Sequence, residues 1–243
     1  MFLVQASQKL DPARIEIENP ELWREIRRFN LPVKLALAAA HEAASVARGA
    51  KDALLVALAP CRPGSPELWR AAHAFETALI QTGRPTEVRV NPTYTLHAID
   101  NLGISALALA VNNRAPGIGI GGSQGQAWCA LELVLERFQD GLARETILFA
   151  GDQDEEGKRA AGVAVLFSAE PRSFGETDKT IRLLAVRRRR MSNPSGETRP
   201  DAVGGLIRWL GALQTGAPGR FAYEVPARDD DGVDSIIVDA EVS

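Results

Sequence analysis

The sequence has 243 residues, of which 45% are hydrophobic and 24% charged, with 28 Lys and Arg against 31 Asp and Glu. This composition excludes a largely disordered chain, and the slightly acidic balance excludes a domain dedicated to nucleic acid, whose affinity comes from clustered cations. Two cysteines are too few for a disulfide framework, and no segment approaches the roughly 18 apolar residues that a membrane span needs. The surroundings of the two cysteines show no metal-ligand spacing, so we expect no structural zinc site. Residues 1–9 lack the basic start of a signal peptide, so we expect a cytoplasmic protein.

In the first half of the chain, apolar runs alternate with turn signals. Residues 31–48 open with a proline and are rich in alanine, which predicts a closely packed helix. Residues 53–59 form an uninterrupted apolar run, which is typical of a strand buried on both faces. A Ser-Pro-Glu sequence at residues 65–67 predicts the start of a helix that ends at Gly83.

The middle of the chain continues this alternation. Residues 95–111 predict a helix that is apolar on most sides, and residues 116–122 predict a short strand that ends in glycines. Residues 123–139 predict a strong helix with apolar residues at helical spacing. Two apolar runs of strand length, 146–150 and 162–169, then flank a polar turn.

The last part of the chain is rich in strands. Residues 180–186 lead into an arginine cluster, residues 201–213 predict a helix, and residues 220–225 and 235–240 predict strands around an acidic turn. The whole order predicts the α/β class, with a mixed, mostly parallel sheet that carries helices on both faces and has an antiparallel edge.

The bend between the strand at 116–122 and the helix at 123–139 carries the most chemical information. A side chain at this bend lies at a helix N-terminus, where free N–H groups and the helix dipole favour developing negative charge. Gly121, Ser123 and Gly125 match the G-x-S-x-G nucleophile elbow of the α/β-hydrolases, with Ser123 as the nucleophile. A serine hydrolase is therefore one function that the sequence allows.

The histidines count against a hydrolase. His41, His73 and His97 all precede Ser123, whereas the hydrolase order of serine, acid and histidine requires a histidine downstream. Without a base, a serine hydroxyl is too weakly nucleophilic for acyl transfer. His41 and His73 lie among alanines on predicted helices, and we interpret both as helix-surface or packing residues.

Other polar groups have structural interpretations. Cys129 lies in the apolar stripe of the helix at 123–139, which is typical of a core residue rather than a nucleophile. Cys61 follows a proline in a loop. The acidic residues at 152–156 and 229–231 are interpreted as solvated turns rather than cation sites.

Several stretches resemble, in the expected order, the N-terminal half of the β-ketoacyl synthases of the thiolase superfamily. Residues 29–44, 53–60 and 65–83 are similar to the family's first alanine-rich helix, the following strand and the next helix. Residues 91–107 are similar to the segment at the synthase dimer interface, and residues 122–131 fall on the synthase elbow. The resemblance is greatest to the short chain-length-factor-like proteins of aryl polyene pathways. It implies an interface role for three residues: His97, Asn101 and Gly103.

The resemblance places Gln124 where a synthase has its catalytic cysteine, with Ser123 or Gly125 as alternatives one residue away. A synthase needs a thiolate to accept the acyl chain, and a glutamine cannot be acylated. Glutamine at this position resembles the chain-length factors and the decarboxylating starter synthases. The starter synthases also use two histidines of a C-terminal half, and no histidine follows His97 here. We therefore expect no independent condensing or decarboxylating activity.

The resemblance covers residues 29–170 of an expected single domain, with residues 171–243 as an extension of strands and one helix. It implies a non-catalytic subunit that forms a heterodimer with an active ketosynthase in aryl polyene, polyketide or fatty-acid-type chain elongation, without a cofactor. The helices at 95–111 and 123–139 are apolar over more of their circumference than a surface helix allows. Residues 200–243 can cover part of them, and the sides that remain uncovered also predict a partner.

The arginine cluster has two interpretations that the sequence does not separate. It could contact an acidic acyl carrier protein, whose phosphopantetheine arm would then lie nearby. It could equally be a solvated edge or a salt-bridged strand, because alternate side chains of a strand point to opposite faces. The cluster comprises Arg187, Arg188, Arg189 and Arg190.

Overall fold

The computed structural model describes the chain except residues 28, 59–65, 85–99, 121–125, 154–158, 176, 191–201 and 230–231. In the elements that border these gaps, only the backbone is described for residues 66–72, 100–101, 126, 188–190, 202, 204–205, 221, 223–229 and 232–236. The strands are β1 (Phe2–Lys9), β2 (Leu54–Leu58), β3 (Gly117–Ile120), β4 (Glu145–Gln153), β5 (Ala160–Ser168), β6 (Ile181–Arg190), β7 (Gly219–Asp229) and β8 (Gly232–Val242). The helices are α1 (Pro12–Glu18), α2 (Pro20–Ile26), α3 (Leu31–Ser45), α4 (Pro66–Thr82), α5 (Asp100–Val111), α6 (Gln126–Gln139) and α7 (Ala202–Thr215).

All these strands form one sheet in the order β3-β2-β4-β5-β1-β6-β8-β7. Strand β2 pairs in parallel with β3 and β4, whereas each further neighbouring pair from β4 to β7 is antiparallel. The expected mixed sheet with helices on both faces is confirmed, but the expected predominance of parallel pairing is wrong. Hairpins join β4 to β5 and β7 to β8, and β1 inserts between β5 and β6. The parallel pairs of β2 rest on crossover connections, and α7 likewise lies in the crossover from β6 to β7, which passes β8.

One face of the sheet is covered by α3 at unusually close range. All six alanines of α3 are buried, together with Leu35 and Leu37. Gly151 and Gly162 are paired across β4 and β5 directly beneath the helix. A Cβ atom at Gly151 would overlap the carbonyl group of Pro32, and a Cβ atom at Gly162 would overlap the backbone of α3. The small residues therefore let helix and sheet backbones touch.

The opposite face is covered by α6 and α7 through large side chains. Its core includes Trp128 and Leu131 of α6, Phe167 of β5, and Trp209 of α7. The rings of Trp128 and Trp209 meet edge to face, with centroids 6.2 Å apart and an interplanar angle of 83°. This geometry is the favoured one for aromatic pairs.

Two short helices that the sequence interpretation missed lie over α3. Asp11 accepts a hydrogen bond from the N–H of Ala13 (2.9 Å) and so begins α1, with a proline at the first helical position. Asn19 caps α2 in the same way through the N–H of Leu22 (3.0 Å), again followed by proline. Their buried apolar residues join the core on the α3 side of the sheet, namely Ile15, Leu22 and Ile26.

A buried carboxylate fixes the loop between α3 and β2 to the sheet. Glu145, at the start of β4, accepts hydrogen bonds from the N–H groups of Arg48 (3.1 Å) and Gly49 (2.7 Å). It also pairs with Arg172 at 3.0 Å, and Arg172 donates to the carbonyl of Val46 at 2.8 Å. Each oxygen of this buried charge therefore has a partner, as a buried carboxylate requires.

Candidate functional site

The predicted strand and helix on either side of the bend are present as β3 (Gly117–Ile120) and α6 (Gln126–Gln139), and they frame the candidate site. Residues 121–125, which include Ser123, Gln124 and Gly125, lie outside the described residues, so the assignment of a nucleophile or former nucleophile position stays a prediction. A helix that begins immediately after a bend presents its unpaired N–H groups to whatever the bend carries.

The body of α6 is covered within the chain. Trp128 is 4% exposed, and Leu131 and Val134 are fully buried against the sheet and α7. Helix α7 thus supplies the partial cover that was expected from residues 200–243, and these residues of α6 need no partner to be buried. Cys129 is half-buried on α6.

Trp209 fixes α7 against α6, and the sequence interpretation did not single it out. Its side chain is fully buried, and its indole N–H has no hydrogen-bond partner among the described residues. It is held by packing, including its contact with Trp128 in the first turn of α6. The sequence signal that could have identified it is a tryptophan in the predicted helix 201–213, with glycines at 204, 205 and 211 on either side.

Helix α5 behaves differently from α6, because its outer side is uncovered in the described part of the chain. Its inner side packs on β2 and β3, with Ile104 and Leu107 buried. Leu109 on the outer side is 84% exposed. Gly103 is buried, and a Cβ atom there would lie 3.8 Å from the ring of Phe149.

The other two residues expected at an interface are less fully described. The backbone of Asn101 belongs to α5, whereas His97 lies outside the described residues. Gly103 lies on the inner side of α5, where a Cβ atom would make an ordinary contact with Phe149, and its interface role stays a prediction.

Strand β3 forms one end of the sheet. It pairs with β2, and no described strand pairs with its other edge. Its sequence, Gly-Ile-Gly-Ile, contains neither a charge nor a proline, the devices that usually prevent further strand pairing. A Cβ atom at Gly117 would overlap the side chain of Ile104, so β3 and α5 fit closely together. Strand β3, with its open edge, thus lies against the inner side of α5.

The described histidines lie on other elements. His41 is on α3, with its Nδ1 atom 3.3 Å from Nδ2 of Asn19, and burial lowers its pKa. His73 is exposed on α4. Neither is on β3 or α6, the two elements that flank Ser123.

The arginine cluster lies at the end of β6, beside β8. Arg187 is 63% exposed in its side chain and pairs with Asp239 of β8 at 2.6 Å. The backbones of Arg188, Arg189 and Arg190 continue the antiparallel pairing with β8. For Arg187, the salt-bridged interpretation is therefore the one that the contacts support.

Acidic groups do not assemble into a metal centre in the described ranges, where no group of three or more His, Cys, Asp or Glu side chains is placed to hold an ion. Asp152 is buried at the end of β4 and accepts a hydrogen bond from the N–H of Gln153 at 2.9 Å. Residues 154–156 lie outside those ranges. No described helix combines the length and apolar character needed to cross a membrane.

The chain is similar to known proteins in structure but not in sequence. No family model matches the chain, and no curated protein is similar to it by sequence. Solved structures are similar over nearly the whole chain. One is a complex of the ketosynthase ApeO with its chain length factor ApeC from Xenorhabdus doucetiae, with 12% identity, 98% of each chain covered and a TM-score of 0.56.

Two further complexes agree with it. The ishigamide ketosynthase/chain length factor matches at 14% identity and a TM-score of 0.55, covering 93% of this chain and 84% of the other. A type II polyketide synthase acyl carrier protein in complex with its ketosynthase matches at 10% identity, 99% coverage of each chain and a TM-score of 0.59. These likenesses concern the fold, and they show that the chain has the thiolase-like fold of ketosynthases and chain length factors.

Proposed function

We propose that the chain is a non-catalytic, chain-length-factor-like subunit that pairs with an active ketosynthase during polyketide, aryl polyene or fatty-acid-type chain elongation. The observation that supports this most strongly is the likeness in fold and extent to a chain of the ApeO–ApeC complex, with 98% of both chains covered. The substitution of glutamine for cysteine at the predicted nucleophile position adds to it, since a glutamine cannot carry an acyl group. The role would be packing and shaping of a partner's pocket.

The surface formed by β3 and the outer side of α5 is the proposed contact with the ketosynthase. It combines an open strand edge without charge or proline with an apolar helix side on which Leu109 is 84% exposed. Unpaired strand edges next to apolar surface favour strand addition and burial by another chain. The predicted interface residues His97, Asn101 and Gly103 belong to this helix or to the segment that precedes it.

The arginine cluster is a weaker candidate for contact with an acyl carrier protein. Arg187 is already paired with Asp239. The experiment therefore tests the contribution of the other three arginines, Arg188, Arg189 and Arg190, to carrier-protein binding. Replacement of these three by glutamine should reduce carrier-protein binding and its dependence on salt if the cluster docks an acidic partner. A solvated edge would leave both unchanged.

Co-purification with the ketosynthase encoded beside this gene tests the proposal. The tagged chain should form a stable complex that elongates acyl carrier protein substrates, while the isolated chain should be inert in elongation and in ester hydrolysis. The surface is tested by Leu109→Lys, which should weaken the complex by about tenfold or more. Ile17→Lys is the matched control, because Ile17 is also a helical residue and is 82% exposed, on α1.

Two results would contradict the proposal. A purified chain that stays a monomer and binds no ketosynthase of its own pathway would remove the subunit role. Ester hydrolysis by the isolated chain that is lost in Ser123→Ala would instead establish the alternative, a serine hydrolase. Equal weakening by Leu109→Lys and Ile17→Lys would contradict the assigned surface alone.

A further inference from the structure

Asn19 joins three helices through its backbone and side chain. Its N–H donates to the carbonyl of Ile15 (2.9 Å) at the end of α1, and its carbonyl accepts from the N–H of Trp23 (2.9 Å) in α2. Its Oδ1 atom accepts from the N–H of Leu22 at 3.0 Å and caps α2. Its Nδ2 atom lies 3.3 Å from Nδ1 of His41 on α3. One side chain thus serves both the start of α2 and the contact of the α1–α2 pair with α3.

The cap determines the protonation state that His41 needs. Because Oδ1 of Asn19 is occupied by Leu22, the amide NH₂ group is the part that faces the imidazole. An amide NH₂ group can only donate, so Nδ1 of His41 must accept, and the proton of the neutral ring lies on Nε2. A protonated imidazole carries a hydrogen on both nitrogens and cannot accept.

We propose that His41 is a pH-sensitive clasp that holds the α1–α2 pair against α3 when neutral and loosens it when protonated. Protonation sets two donors against each other at the contact between His41 and Asn19. The amide can avoid this only by rotating, which turns Oδ1 away from Leu22 and removes the cap of α2. Without rotation the hydrogen bond between Asn19 and His41 is lost, and with rotation the bond from Leu22 to Asn19 is lost.

Burial of His41 acts in the same direction. His41 is half-buried, and desolvation lowers its pKa below the ordinary value of 6.5. The folded chain therefore favours the neutral ring, while the unfolded chain takes up a proton at a higher pH. The contribution of the clasp is present above about pH 6.5 and is lost as the pH falls through the lowered pKa.

Other charged groups near the clasp pair mainly with one another. Lys9 contacts both Glu18 and Glu42, and Arg24 pairs with Glu25 at 3.4 Å. The variant His41→Gln leaves these carboxylates in place and so separates their effect from that of the imidazole. The charged residues on α3 and on the elements packed against it are Lys9 of β1, Arg14, Glu16 and Glu18 of α1, Glu21, Arg24 and Glu25 of α2, Lys34 and Glu42 of α3, Asp100 of α5, and Glu145 and Asp152 of β4.

Loosening of the α1–α2 pair would uncover apolar surface. Ile15, Leu22 and Ile26 are at most 5% exposed and pack into the core on the α3 side of the sheet. Their release would expose these side chains together with the outer side of α3. The clasp thus couples the charge of one imidazole to a hydrophobic surface.

Amide hydrogen exchange of the full chain between pH 7.5 and 5 tests the clasp. The protection factors of the Leu22 and Trp23 amides should fall by up to about tenfold for each pH unit below the pKa of His41. His41→Gln, whose amide oxygen can accept at every pH, should make the protection independent of pH over this range. His73→Gln is the control, because His73 is exposed on α4, and it should keep the wild-type profile.

A second measurement needs no substitution. Nitrogen chemical shifts of the His41 ring at neutral pH should show the Nε2–H tautomer with a hydrogen-bonded Nδ1 atom. An Nδ1–H tautomer, protection that does not change with pH, or a His41→Gln chain with the same pH dependence as the wild type would overturn the proposal. The last result would assign the effect to the carboxylates around Lys9.

Discussion

The two faces of the sheet are packed by opposite means. On the α3 face, alanines and the paired Gly151 and Gly162 bring helix and sheet backbones into contact. On the α6–α7 face, two tryptophans and other large side chains fill the space, including Trp128 and Trp209. The first face depends on the absence of side-chain atoms and the second on their presence.

This difference decides which substitutions each face tolerates. A close backbone contact has no room for an added methyl group and cannot shift without moving a whole helix. A face filled by large side chains instead loses contacts and gains a cavity when one of them is shortened. We therefore expect larger side chains to destabilise the α3 face and smaller side chains to destabilise the α6–α7 face.

The largest effect is expected for Trp209→Ala on the α7 face. Removal of a fully buried indole should lower the free energy of unfolding by about 3–5 kcal/mol, measured by urea denaturation. Trp209→Phe is the matched variant. It should cost much less, since it keeps an aromatic ring and removes an N–H that has no partner among the described residues. An equal cost for both would show that this face does not depend on volume.

A smaller but substantial loss is expected for Gly162→Ala on the α3 face. The added Cβ atom would overlap the backbone of α3, and the free energy of unfolding should fall by about 3 kcal/mol. The matched control is Gly211→Ala on α7, where a Cβ atom meets nothing within 4 Å. This control should be neutral or stabilising by up to about 1 kcal/mol, because alanine favours a helix more than glycine does. Tolerance of Gly162→Ala in thermal unfolding would contradict the close backbone contact.

The smallest effect is expected for Lys179→Met, which leaves both faces packed but removes a cap from α7. The Nζ atom of Lys179 donates to the carbonyl groups of Gln214 (2.7 Å) and Gly216 (3.0 Å) at the end of that helix. Its removal should lower the free energy of unfolding by about 1 kcal/mol. The loss should appear first as faster amide exchange in the last turn of α7. Unchanged exchange there would mean that the cap contributes nothing.

Much of the fold was predictable from local patterns. The Ser-Pro-Glu start predicted α4 to end at Gly83, and the helix runs over Pro66–Thr82 with Gly83 at a φ of 66°. The apolar run at 53–59 predicted a strand buried on both faces, and all of Leu54–Leu58 is buried. Helices α1 and α2 were missed, although Asp11 and Asn19 each precede a proline in the pattern that identified α4.

The order of the strands was not predictable in the same way. Runs of similar apolar residues do not say which strand pairs with which, so the place of β1 between β5 and β6 follows only from tertiary contacts. The glycine pair beneath α3 was equally hidden, because Gly151 and Gly162 meet only once β4 and β5 pair. For the candidate site, the apolar spacing of residues 123–139 predicted α6, whereas the cover of α6 by Trp209 depended on a contact more than 80 residues distant.

The central position of β1 has a consequence for how the chain folds. Phe2 pairs with Ser168 in β5, and the N–H of Leu183 in β6 donates to the carbonyl of Met1 at 2.9 Å. During synthesis β1 therefore waits for partners that follow more than 150 residues later, which is about 10–30 s at ordinary rates of synthesis. Such long-range pairing slows folding. During that interval β1 is an unpaired apolar strand, and its protection by a chaperone is expected to govern the yield of folded protein.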